Sequence, residues 1–151
     1  MEFQNKSKDY IFVGIQLILF LGFLWSGLTF DYNSHIISYL SILMMVLGFL
    51  IIIIAMLQLN KSLSPFPSPV EGSKLITNGV YSYIRHPIYL GIIIGGLGLG
   101  FYLKDGYKLI LTCMLTVLFY FKSAYEESLL LEKFPEYSGY KKHTYRIIPF
   151  I

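Results

Sequence analysis

The sequence is poor in cysteine and in charge. Its one cysteine, Cys113, cannot form an intrachain disulfide, and no Cys/His cluster has zinc spacing, so no metal site is expected. Cys113 lies inside an apolar run and is expected to be a packed core thiol. Only 14% of the 151 residues are charged, against roughly a quarter in a soluble domain. There is no basic run and no nucleic-acid motif, which excludes nucleic acid as a partner. A chain this short leaves no room for a separate soluble catalytic domain.

Apolar residues dominate instead. The chain is 55% hydrophobic with a mean hydropathy of +0.60, and these residues come in blocks rather than in an amphipathic period. The expected fold is all-α: a polytopic membrane protein of about four transmembrane helices. About 20 apolar residues cross a ~30 Å hydrocarbon core. Residues 10–30 form the first such run, too long for a signal peptide and without its small-x-small cleavage site; residues 36–59 form the second. Neither carries a charge inside the run, and together residues 1–59 read as a two-helix membrane scaffold that contacts lipid.

Residues 60–73 break the pattern. Pro65, Pro67 and Pro69 alternate there, removing backbone donors and forbidding continuous helix, so an extended loop is expected. The third span runs from about Pro87 to Leu103. Its glycines include Gly96-x-Gly98, which resembles part of a dinucleotide fingerprint but lies mid-helix; close helix packing through small residues accounts for it better. The fourth span, residues 107–121, meets no breaker until Pro135 and is expected to continue out of the bilayer as a half-polar helix. An aromatic, basic tail follows, expected to fold back as an amphipathic segment.

Four spans put both termini and residues 60–86 on one side. That side holds ten of the twelve Lys and Arg, with Lys104 and Lys108 on the other, so the termini and the polar loops are expected in the cytoplasm.

Polar, cationic and aromatic residues crowd one place, the stretch Asn78 to Gly91. Arg85 and His86 immediately precede Pro87, which suits the first turn of a helix because its missing N–H would be unpaired there anyway. Two cationic side chains at the mouth of a membrane helix are costly unless they meet a counter-charge or a ligand. Glu126 and Glu127 follow after one more span, and adjacent helical residues point about 100° apart, so the two cannot face one ligand equally.

The ordered set Gly79-Val80-Tyr81, Arg85-His86-Pro87-Ile88-Tyr89-Leu90-Gly91 and Glu126-Glu127 resembles the isoprenylcysteine carboxyl methyltransferase and phospholipid methyltransferase family of integral membrane enzymes. The resemblance runs from Ser73 to Ile151 and includes Tyr140-Lys141-Lys142 and the ending Ile148 to Ile151. It implies a cofactor-binding core in residues 73–151 of one membrane domain. It also implies methyl transfer from S-adenosylmethionine to a lipophilic or lipidated acceptor from the bilayer, in the plasma membrane of a prokaryote. Leu75 and Ile76 match the family's apolar pair before Thr-x-Gly-x-Tyr, and Tyr81, His86, Tyr89 and Glu126 match its cofactor-contacting residues. Arg85 joins His86 as a donor for the cofactor carboxylate.

Four residues before Glu126 the isoprenylcysteine enzymes have an arginine that serves the substrate carboxylate. Here Lys122 stands in its place, a point charge without a two-pronged fork. Lys122 also forms an i, i+4 pair with Glu126, whose plain reading is a modest surface ion pair. A carboxylate acceptor needs only such a cation to steer it. An amine acceptor must lose a proton, and Glu127 is then the expected base. Lys122 and Glu127 are therefore the candidate catalytic residues.

Two other classes fit parts of the sequence. Sterol and steroid reductases share an Arg-His-Pro-x-Tyr-x-Gly stretch and use NADPH, but they are longer. A four-span transporter would need an ionisable residue within a span, and the first three spans have none.

Overall fold

The computed structural model describes residues 6–148; the ending Pro149 to Ile151 lies outside the described residues. The chain is helical, in the order α1 (Lys6–Gly22), α2 (His35–Leu59), α3 (Pro87–Tyr102), α4 (Gly106–Lys133) and α5 (Tyr137–Lys142), with short 3-10 turns at Asn60–Ser62 and Gly79–Ser82. The caps follow from local chemistry. Ser34 Oγ accepts from Ile37 N at the start of α2, Asp105 Oδ1 accepts from Tyr107 N at the start of α4, and Pro87 opens α3, each meeting or removing a backbone donor that helix geometry leaves unpaired.

Helices α2 and α4 are long and apolar enough to cross a membrane by length and composition; α3 is shorter, with 16 residues. The twenty or so residues needed for a crossing use up α4 to about Tyr125. The helix itself continues unbroken to Lys133, as the absence of a breaker led us to expect.

Helix α2 runs along α3, α3 packs on α4, and α4 receives α1. The α2–α3 crossing is made at glycines: a Cβ on Gly48 would lie 2.6 Å from Gly91 O, so nothing larger fits between the two backbones. Leu19, Ile93, Leu111, Leu115 and Phe119 form the buried centre between α1, α3 and α4, with Ile147 of the tail joining them.

Two expectations are corrected. The first span does not reach Phe30, because α1 ends at Gly22. The apolar residues beyond it find other partners: Lys108 Nζ donates to Phe23 O at 2.7 Å and to Trp25 O at 2.6 Å. Phe30 N donates to Lys104 O, and Gly106 N to Leu28 O. Hydropathy registers an apolar segment but not which group will take its carbonyls. Cys113, expected in the core, is exposed on α4; in a spanning helix that face meets lipid, which a thiol tolerates as well as a protein interior.

The turns at one end of the bundle meet each other, with Lys104 Nζ 2.6 Å from Asp31 Oδ1. The proline loop, the 78–86 stretch, the C-terminal end of α4 and the tail gather at the other end.

Candidate active site

The 78–86 stretch turns on a glycine. Gly79 has φ +61°, a left-handed conformation that favours glycine, and a Cβ there would meet the side-chain amide of Gln58. Gln58, near the end of α2, uses its Oε1 to accept from Val80 N at 3.1 Å. The loop thereby lies against α2, and the Tyr81 ring is buried with its hydroxyl 3.4 Å from Ala55 O. Burial pushes the Tyr81 hydroxyl well above its ordinary pKa, so it serves as a neutral donor.

Pro87 then launches α3 with His86 just outside it and Tyr89 in its first turn. His86, Tyr89 and Phe119 form one continuous stack: the His86 and Tyr89 rings are 5.5 Å apart and 4° from parallel, and those of Tyr89 and Phe119 are 4.3 Å apart and 6° from parallel. Tyr89 donates its hydroxyl to Glu126 Oε1 at 2.5 Å, and His86 Nδ1 lies 3.1 Å from Glu126 Oε2. Burial disfavours a charged imidazole, but the hydrogen bonds and charges of Glu126 and Glu127 outweigh it and raise the His86 pKa.

Glu127 occupies a different environment. It is 1% exposed, and its Oε1 accepts from Arg85 Nε at 2.7 Å. Lys141 Nζ lies 3.1 Å from Oε2, and Arg146 Nε and His86 Nε2 each lie 3.5 Å from Oε1. Burial alone would raise the carboxyl pKa; hydrogen bonds from His86, Arg85 and Lys141 hold it far below the carboxylate range. Three of these partners reach Glu127 because the tail pairs with the loop. Tyr145 N donates to Tyr83 O, Arg85 N to Tyr145 O, and His86 N to Arg146 O. Arg85 Nη1 also donates to Thr144 O, and the Tyr140 hydroxyl to Tyr81 O at 2.5 Å.

A cavity of about 400 Å³ opens against these groups, a size suited to a small-molecule ligand. Of the residues singled out from sequence, Leu75, Ile76, Tyr81, Arg85, His86, Tyr89, Lys122 and Glu126 line it, and Glu127 is not in the lining. Tyr83, the other tyrosine of the stretch, is 72% exposed and is not in the lining. The surface ion pair foreseen for Lys122 is not what forms. Lys122 is 1% exposed, and its ammonium donates to Gln16 Oε1 at 2.7 Å and Pro65 O at 2.8 Å, above the ring of Tyr89 at 5.5 Å.

Sequence reasoning missed part of the wall. Gln16 of α1, Met56 of α2, the proline loop around Pro65 and Phe66, and Tyr137 and Tyr140 of the tail all line the cavity. The scaffold residues thus contribute directly to the site. The alternating prolines were a signal for this: a segment that cannot become helix yet stays apolar is suited to cover a pocket.

Two comparisons with known proteins found matches. A family profile described as phospholipid methyltransferase matches residues 36–137. The chain superposes on the solved structure of the eukaryotic intramembrane Ras methyltransferase, an isoprenylcysteine carboxyl methyltransferase, with a TM-score of 0.71 and 23% identity over 97% of its own length. It spans about half of that protein, 51% of its chain. No curated protein matches the sequence. The match at residues 36–137 takes in the 78–91 stretch, α3, α4 and Glu126, and by it the chain belongs to the phospholipid methyltransferase family.

Proposed function

We propose that the protein transfers a methyl group from S-adenosylmethionine to a lipophilic acceptor drawn from the bilayer, and that the acceptor is a prenylcysteine-like carboxylate. One observation carries this reading: a single cavity has a polar corner of Glu126, Tyr89 and His86 and, above the same Tyr89 ring, a lysine cation that donates to two neutral oxygens.

The residues fit the cofactor. Glu126 suits its ammonium. Arg85 and His86 suit its carboxylate; the buried His86 Nε2 has only a long approach of 3.5 Å to Glu127 Oε1 among the described residues, a donor that a ligand would satisfy better. Leu75, Ile76 and Tyr81 supply an apolar and aromatic wall for the adenine. When bound, the cofactor supplies an electrophilic methyl carbon on a sulfonium.

The chain's own task is alignment and exclusion of water. A carboxylate acceptor would use its own oxygen lone pair as the nucleophile toward that methyl carbon, with the cofactor's sulfur as the leaving group. The products are a neutral ester and a neutral thioether, and no proton changes hands. Lys122 holds the carboxylate at the membrane boundary. Glu127, tied by cations behind the lining, orders the loop and the tail and is poorly suited to act as a base. Amine acceptors, which the family description brings to mind, would need one. The site faces the cytoplasm, where the soluble cofactor is found.

The test is methyl transfer from labelled cofactor to an isoprenylcysteine analogue and, separately, to phosphatidylethanolamine. The carboxylate reading expects label in the first. It expects Lys122→Arg to retain turnover, and Lys122→Ala to raise KM with little change in cofactor affinity. Label only in phosphatidylethanolamine would overturn it.

A further inference from the structure

We infer that Gln16 of α1 is a specificity-determining residue that keeps the Lys122 cation uncancelled, so that the acceptor end of the cavity selects an anionic head group. The inference rests on the methyl-transfer reading above. It concerns a helix that lies outside the 36–137 match and that the sequence marked only as scaffold.

An ammonium that is 1% exposed on a membrane helix is expensive and ordinarily takes a carboxylate partner. Glu126, one turn along α4 and in the same cavity lining, is the acidic group placed for that role. Yet the ammonium is turned to an amide oxygen, Gln16 Oε1 at 2.7 Å, and a backbone carbonyl, Pro65 O at 2.8 Å. Glu126 is meanwhile engaged by Tyr89 and His86.

Helix α1 sets both neutral acceptors. It supplies Gln16 directly, and it holds the proline loop that carries Pro65. Asp9 Oδ2 accepts from Ser68 N at 3.3 Å, and the Tyr10 ring packs edge-on against Phe66 at 5.4 Å. Two neutral dipoles solvate the ammonium without cancelling its charge, and they occupy two of its three donors. The remaining charge faces a cavity that Lys122 and Gln16 both line. A glutamate at position 16 would satisfy the same donor and neutralise the site. The amide is therefore the informative choice.

The test uses the full chain in lipid nanodiscs with Gln16→Glu and Gln16→Met. Three quantities are read: KM for an S-prenyl carboxylate acceptor, the inhibition constant of its non-reacting carboxamide, and affinity for S-adenosylhomocysteine. Gln16→Glu should raise the carboxylate KM about tenfold or more, the scale of losing one charged contact. Carboxamide inhibition and S-adenosylhomocysteine affinity should stay within about twofold. Gln16→Met removes the amide oxygen from the ammonium without adding a charge, so it should raise the carboxylate KM by much less than Gln16→Glu does, whatever its Tm. Loss of carboxylate and carboxamide binding in parallel, or an unchanged KM in Gln16→Glu, would overturn the inference and leave Gln16 a packing residue. If Gln16→Glu does not fold, wild type decides: a carboxylate bound about tenfold or more tightly than its carboxamide supports the inference, and equal affinities overturn it. Wild-type protein that fails to bind S-adenosylhomocysteine would instead sink the underlying cofactor reading. Wild type that binds it but does not methylate the carboxylate would overturn the anionic selection.

Discussion

Glu126 and Glu127 are adjacent on α4, and their carboxylates go separate ways. Glu126 Oε1 receives the Tyr89 hydroxyl at 2.5 Å in the cavity lining, whereas Glu127 Oε1 receives Arg85 Nε at 2.7 Å outside it. The helix turns about 100° per residue, so one member of the pair can serve a ligand while the other serves the fold.

The two glutamates should therefore fail differently. Glu127→Gln leaves Arg85 and its neighbours around an uncharged group, and breaking a buried pair this way costs ~3–5 kcal/mol; the ligand-free protein should melt well below wild type. Glu126→Gln, which loses only the pairing with His86, should lower that melting point by less and weaken S-adenosylhomocysteine binding about tenfold. Thermal melts and titrations of both variants check this. Identical losses in both would contradict the division of roles.

The same groups fix the pH dependence. His86 has a raised pKa in the folded protein. Its contribution to stability is thus complete below the ordinary value of 6.5 and is lost as pH rises through the folded value. Glu127 has a lowered one, so its contribution is complete above the ordinary 4.5 and is lost only as pH falls through the depressed value. Melting temperature should be highest between these ordinary values and decline on the alkaline side. His86→Gln should flatten the alkaline decline. A melting temperature that climbs steadily from about pH 6 to pH 8, across the ordinary histidine range, would contradict the assignment.

Glycine substitutions should separate packing from propensity. Gly48→Ala places a methyl 2.6 Å from Gly91 O and should cost ~1–3 kcal/mol by forcing α2 off α3. Gly14→Ala has nothing within 4 Å and should be neutral or stabilise by up to ~1 kcal/mol. Unfolding of both variants in the same detergent checks the sign of each.

The motif residues were readable because their spacing is local: Tyr81, His86 and Tyr89 fall within nine positions, and their apolar and cationic neighbours mark a helix mouth. Gln16 was not readable. It is one amide in an apolar run, and its partner Lys122 lies 106 residues away, a contact that only the packing of α1 on α4 creates. The tail was legible as a segment that folds back. Its backbone pairing of Tyr145 with Tyr83 and Arg85 left no trace in composition, because those bonds use main-chain groups that every residue has. The end of α1 at Gly22 was hidden for a similar reason, since the carbonyls beyond it are taken by Lys108.

The central claim is that the cavity against Glu126, His86 and Tyr89 binds the adenosyl cofactor, and calorimetric titration of the purified protein with S-adenosylhomocysteine tests it most directly. A ligand that binds only the folded state adds about 2.7 kcal/mol of stability at a hundred times its Kd. The account predicts measurable heat and a raised melting temperature without added metal, both absent with NADPH and both sharply reduced in His86→Ala. No heat and no melting shift at millimolar S-adenosylhomocysteine, or an equal response to NADPH, would contradict it.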